Sequence, residues 1–203
     1  MKVEPMTRIR RRIAVAALAV ALAGCATISR LTALKQVDFS IAGVRDGRLA
    51  GVDLRRIADY GDLGPLEVGR LALAVSRRDV PLEFRVMVRA DNPADNRTAA
   101  TMLKLDWTLL LDDKETIHGV LDTTVTIPPG ESATIPLPMR VNLREFFDGP
   151  ARSLVNLAAS VAGLSARPTK IAVRAVPTIH TPLGDITYPH PITIVSRTVG
   201  ASP

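Results

Sequence analysis

The feature that most constrains this chain is an alternation of apolar and polar residues, repeated many times between residues 37 and 143. Val37, Phe39 and Ile41 alternate with Asp38 and Ser40, and Leu82, Phe84, Val86 and Val88 with Glu83, Arg85, Met87 and Arg89. Leu103, Leu105, Trp107, Leu109 and Leu111 alternate with Lys104, Asp106, Thr108 and Asp112, with Leu110 interrupting the polar side. Successive side chains of a strand point to opposite faces, so a period of two predicts strands buried on one face. Leu121, Thr123, Val125 and Ile127 predict another strand, closed by Pro128-Pro129-Gly130. Ile135, Leu137, Met139, Val141 and Leu143 predict the next. Pro136 and Pro138 lie on its other face and lack an N–H, which points to a sheet edge or a bulge. Asp46-Gly47 predicts a hairpin turn leading into residues 49–54. Residues 171–176 and 186–195 are expected to close the sheets.

Two stretches leave this pattern. Residues 65–77 begin with Pro65 at a first helical position and Glu67 in the first turn, and so predict a helix, although Leu71-Ala72-Leu73-Ala74-Val75 would also suit a strand. In residues 150–162, Leu154, Leu157, Ala158 and Val161 recur at helical spacing, continued by Leu164, with Gly163 and Pro168 as stop signals. Short strands separated by turns, with few helices, predict a mainly β fold. The expected architecture is an antiparallel β-sandwich of immunoglobulin or fibronectin-III type carrying one or two accessory α-helices. With 47% hydrophobic residues the chain is too apolar for a solvated coil.

The N-terminus has a different logic. Lys2, Arg8, Arg10, Arg11 and Arg12 form a basic head, residues 13–22 are an unbroken apolar run, and Ala23-Gly24 precede Cys25, the one cysteine of the chain. That order predicts a secretory signal over residues 1–24. The run is shorter than the roughly 20 residues of a spanning helix, so it is not expected to remain as a transmembrane anchor. Leu22, Ala23 and Gly24 ahead of Cys25 resemble the recognition box of the lipoprotein signal peptidase. That resemblance implies acylation of the Cys25 sulfur, then cleavage and acylation of the new amino terminus. Two or three acyl chains hold a protein on a membrane where one binds reversibly. Residues 25–36 are then a lipidated tether and 37–199 the folded domain, with a frayed tail at its end. Ala26 stands where a retained inner-membrane lipoprotein would carry aspartate. The expected address is therefore the cell envelope, at the outer membrane and facing the periplasm.

Charge and chemistry exclude several classes. Five of the 26 basic residues and one of the 20 acidic ones precede Cys25, which leaves the mature part only mildly basic. Four Phe, two Tyr and one Trp, with no basic cluster around them, do not make a nucleic-acid surface. Gly130-Glu131-Ser132-Ala133-Thr134 and Gly163-Leu164-Ser165-Ala166-Arg167 are each half of a nucleophile elbow without the final glycine. His118, His180 and His190 have no metal spacing and read as exposed loop residues, although His180 and His190 flank one hairpin. Asp91-Asn92-Pro93-Ala94-Asp95-Asn96 gathers oxygens that could hold calcium, but it lacks the order of a calcium loop and reads as Asx-turn geometry. No catalytic site, metal or cofactor is expected.

Residues 37–143 resemble the late embryogenesis abundant type 2 family, also called WHy (water stress and hypersensitive response). The segments that carry the resemblance occur in order: residues 37–41 and 49–54, the strand 84–91 running into Asn92-Pro93, the strand 105–111, the turn Ile127-Pro128-Pro129-Gly130-Glu131, and the closing 183–189. Departures are Ala94 where a second Asn is common, Asp112-Asp113-Lys114 in place of an Asn-Gly hairpin, and a long insert over 57–80. The resemblance implies a folded, non-enzymatic domain associated with desiccation or osmotic stress, acting on client components without turnover. The alternative is a carrier of lipid or another hydrophobic ligand, in which the helix at 150–162 gates an apolar cleft lined by Leu154, Leu157 and Val161. Its bland counterpart is a helix that caps the sandwich. Partners on either reading are the membrane, through the anchor, and client proteins or lipids. Client, ligand and oligomeric state are not legible in the sequence.

Overall fold

A computed structural model describes Thr27, Ser29 and residues 31–147, 149–164 and 170–195. Residues 31–35 are helical (α1). There follow β1 (Asp38–Leu49), β2 (Val52–Asp53), α2 (Pro65–Ser76), β3 (Pro81–Asp91), β4 (Ala100–Met102), β5 (Lys104–Leu111), β6 (Lys114–Leu121), β7 (Val125–Ile127), β8 (Ser132–Asn142), α3 (Leu143–Phe146), α4 (Ala151–Val161), β9 (Ile171–Thr181), β10 (Gly184–Thr187) and β11 (Ile192–Val195). One sheet has the order β2-β1-β3-β8. The other has the order β10-β9-β5-β6, with β11 pairing β9 beyond the end of β10. Every pairing is antiparallel. With β1-β3-β8 on one side and β6-β5-β9-β10/β11 on the other, this is the three-and-four strand arrangement of a fibronectin-III-type sandwich. The ribbon β4-β7 is an addition at one end.

The alternating residues meet between the sheets. Leu82, Val86 and Val88 of β3, Leu137 and Val141 of β8, Leu109 and Leu111 of β5, and Ile171 and Val173 of β9 are all at most 1% exposed. Pro136 and Pro138 are on an edge strand, as their missing N–H groups require, since β8 pairs only with β3. Trp107 lies across Gly119, its partner on β6. A Cβ at Gly119 would stand 2.3 Å from the indole, so only glycine leaves room for the ring.

Local chemistry corrects several expectations. Asp46-Gly47 is not a hairpin: β1 runs through it, and the register against β3 shifts between Arg45 and Arg48. Asp46 takes a positive φ of 57° there, so the pair forms a bulge in one long strand. The reversal comes at Ala50-Gly51, where both φ values are positive, 48° and 79°, as a two-residue type I′ turn demands. Asp112-Asp113 makes the same turn between β5 and β6, with φ of 48° and 64°. Aspartate is among the few side chains that accept this region. The alternation 121–127 is not one strand. Leu121 ends β6, and Val125–Ile127 pairs with β4 instead. The closing run 186–195 is broken by Tyr188-Pro189-His190-Pro191 into β10 and β11. His118 and His180 lie on strands β6 and β9, not in loops.

Both expected helices form. α2 starts at Pro65, and the Glu67 carboxylate accepts from the Gly64 N–H at 2.7 Å, which satisfies one donor of the first turn. α4 ends at Val161 and is closed by Gly163, whose φ of 75° is left-handed, with Leu164 N–H returning to Ala159 O at 2.9 Å. The inner face of α4 joins the core: Leu154, Val155, Ala158 and Val161 are at most 1% exposed and Leu157 is half-buried against them. Among the described residues no helix is long and apolar enough to cross a membrane.

Candidate functional site

Part of the segment read as a tether is folded onto the sandwich. Ala33 and Leu34 of α1 are each 2% exposed, and Val37 just beyond is 6% exposed. Two polar side chains, Asn96 and Tyr188, bond this helix directly, and Asn92 holds Asn96. Asn92, at the end of β3, donates from Nδ2 to Ile127 O at 2.8 Å. Its backbone exchanges hydrogen bonds with Glu131 O and Gly130 N–H, both at 2.9 Å. Asn96 donates from Nδ2 to Asn92 Oδ1 at 2.6 Å and to Ala33 O at 2.9 Å. Tyr188, between β10 and β11, donates its hydroxyl to Leu31 O. The two asparagines are 2% and 4% exposed, so each bond replaces water that cannot reach it. Burial pushes the Tyr188 hydroxyl up to about 12, keeping it protonated as the donor.

Residues 91–96 carry the bonds of an Asx-type turn: Asn96 N–H closes on Pro93 O at 3.1 Å and Asn96 Oδ1 accepts from Thr98 N–H at 3.4 Å. The amide groups are occupied by carbonyls and by each other. Among the described residues no cluster of three His, Cys, Asp or Glu could hold a metal ion.

Beneath α1, between the start of β1 and the start of β11, an apolar cleft of about 270 Å³ opens at the surface. Leu34, Val37, Phe39 and Ile192 form its walls, with Lys35 and His190 on its lining. At the same end of the sandwich the β9–β10 hairpin presents Leu183, 66% exposed.

The opposite region of interest is polar. Arg48, Arg55, Arg85 and Arg140 with Asp46, Asp53 and Glu83 line an open groove of about 610 Å³ on the outer face of the first sheet. Ion pairs Arg85–Asp46, Arg55–Asp53 and Arg140–Glu83, at 2.7, 2.7 and 3.0 Å, cross it. The Arg55 guanidinium holds the Asp53 carboxyl below its usual range by hydrogen bonding. Three of the four arginines are thus matched by the three carboxylates, and ion pairs this exposed are screened by solvent.

The sequence-predicted residues fall as follows. Leu22, Ala23, Gly24 and Cys25 lie outside the described residues, as do Ser165 and Pro168. Leu154 and Val161 sit in the core cluster with Leu157 packed against it, at the end of the sandwich away from the cleft under α1. Ser132 heads β8 and donates to the Asp91 carboxylate. His180 pairs with Asp185 at 2.7 Å across its hairpin. Sequence reasoning missed the docking of α1. Its only signal was a pair of asparagines four residues apart after a strand, and their long-range partners are backbone carbonyls that no pattern marks.

These features define a fibronectin-III-like sandwich with a docked N-terminal helix. No protein-family model and no curated protein matches the sequence. Among solved structures the chain is similar to the solution structure of a candidate late embryogenesis abundant (LEA) protein, at 11% identity over 96% of this chain and 89% of that one, with a TM-score of 0.38. It is also similar to a structural-genomics target, SoR45, at 11% identity over 84% and 89%, with a TM-score of 0.36. A crystal structure of a protein from Archaeoglobus fulgidus matches at 16% identity over 57% and 82%, with a TM-score of 0.33. Overlays this loose carry no function across; the strand pairings themselves establish the fold.

Proposed function

We propose that this chain is a lipid-anchored, non-enzymatic protein of the cell envelope that protects or stabilises other components under desiccation or osmotic stress. The observation that carries the anchored part is spacing. Leu31, six residues after the cysteine of a lipobox-like leader, is already tied to the fold through Tyr188. The stress-protective part is supported by the ordered likeness of residues 37–143 to the late embryogenesis abundant type 2 family. Paired surface charges and a well-packed core suit a domain that acts by contact and not by turnover. The carrier alternative has the surface-open cleft of about 270 Å³ under α1, close to the lower end of the roughly 300–1,000 Å³ of pockets that enclose a ligand.

The test has two stages. Intact mass and membrane fractionation of the full chain should show a diacylglyceryl adduct and cleavage before Cys25, and Cys25→Ser should abolish both. A dehydrogenase dried and rehydrated with the protein should then retain more activity than with equal serum albumin. No advantage over albumin would rule out the protective reading while leaving the anchor in place.

A further inference from the structure

The end of the sandwich that leads back toward Cys25 is marked by the register. The last rung between β5 and β9 joins Lys104 to Thr178, and the β9–β10 hairpin lies beyond it. Tyr188 returns to Pro177 O at 2.9 Å and holds α1 through Leu31, so α1, its cleft and the hairpin share this end. Six residues from Cys25 to Leu31 reach at most about 22 Å even when fully extended. β3 alone, with 11 residues, is about 36 Å long. A leash shorter than the domain keeps this end, and not the helix-capped one, against whatever holds Cys25.

The apolar side chains of the cleft and hairpin suit that position. The cleft walls are hydrocarbon and aromatic, and its titratable lining groups are Lys35, Tyr188 and His190, with no carboxylate. Leu183 stands 66% exposed in the hairpin turn, beside an exposed Pro182. Asp185, the hairpin's carboxylate, is hydrogen-bonded to His180.

We propose that this end is a bilayer-contact surface. Leu183 enters the boundary between headgroups and acyl chains, the cleft beneath α1 takes hydrocarbon from the same layer, and Lys35 and His190 face the headgroups. The domain then lies against the membrane and does not stand off it. The inference rests on acylation of Cys25, and the experiment separates the two.

Acylation consumes the one native thiol, so Leu183→Cys, His190→Cys and Leu73→Cys each leave a single free thiol in the lipidated full chain. Each variant is labelled with an environment-sensitive fluorophore and reconstituted into phosphatidylethanolamine–phosphatidylglycerol vesicles with and without nitroxide-labelled lipid. The expected result is a blue shift and loss of emission to the nitroxide lipid at positions 183 and 190. Position 73, on α2 at the far end and 51% exposed in the native chain, should instead be quenched by aqueous iodide. Iodide quenching at 183 and 190 equal to that at 73, in protein whose intact mass confirms acylation, overturns the bilayer surface and spares the anchor. A mass without the lipid overturns both.

Discussion

The two ends of the sandwich are held by different physics. At one end α4 and its neighbours bury a periodic apolar face, with Leu154, Val155 and Val161 at most 1% exposed. At the other, α1 also buries two residues, but its placement depends on two side-chain donors, Asn96 and Tyr188, reaching single carbonyls from far along the chain, with Asn92 holding Asn96. Burial is non-directional and spreads its cost over many contacts. A buried hydrogen bond is directional, and losing one partner leaves the other unsatisfied. The capped end should therefore resist local opening and fail only with the whole domain, whereas the α1 end can open by itself.

Substitutions can break or sharpen that contrast. Leu154→Ala removes a fully buried side chain and should cost about 2–5 kcal/mol of global stability, measured by urea unfolding of the soluble domain. Its effect should appear in every probe at once. Asn96→Ala strips a donor from two buried oxygens and should cost about 1–3 kcal/mol. Here hydrogen exchange should accelerate over 31–37 and 92–98 and stay unchanged over 151–161. Uniform acceleration across both ends would refute the distinction. Gly163→Ala places a Cβ on a left-handed residue and should cost about 1 kcal/mol, with fraying confined to the last turn of α4.

Tyr188→Phe is the smallest change at neutral pH, about 1 kcal/mol for one hydrogen bond. Its diagnostic is alkaline. With its folded pKa raised from 10.0 to about 12, Tyr188 keeps its proton longer in the folded state than in the unfolded one. Its contribution is full below pH 10 and is lost as pH rises toward 12, and Tyr188→Phe should flatten that limb of the stability profile.

Much of the fold was legible. The strands at 82–88 and 135–141 have a strict period of two because one face meets a core, and 103–111 keeps that period except at Leu110. The failures have physical causes. β6 carries Ile117 and Leu121 only half-buried on an edge, so its pattern is faint. Asp46-Gly47 has turn chemistry, but a bulge uses the same left-handed geometry, and only the pairing with β3 distinguishes them. The break at Tyr188–Pro191 was overridden by flanking residues that are strand-like on both sides.

By itself the sequence determined which residues face the core, where the two larger helices start and stop, and that Cys25 is the one thiol available for an anchor. These are local properties: periodicity, capping and composition act within a few residues. The tertiary structure alone decided that α1 is docked, that Asn92 and Asn96 bond within the fold, and that the cleft and Leu183 share the end where α1 docks. Each of those depends on groups brought together from distant parts of the chain. Asn96 and Ala33 are 63 positions apart and Tyr188 and Leu31 are 157 apart. Backbone carbonyls carry no side-chain signature, so nothing in the order of residues marks which of them a buried donor will find.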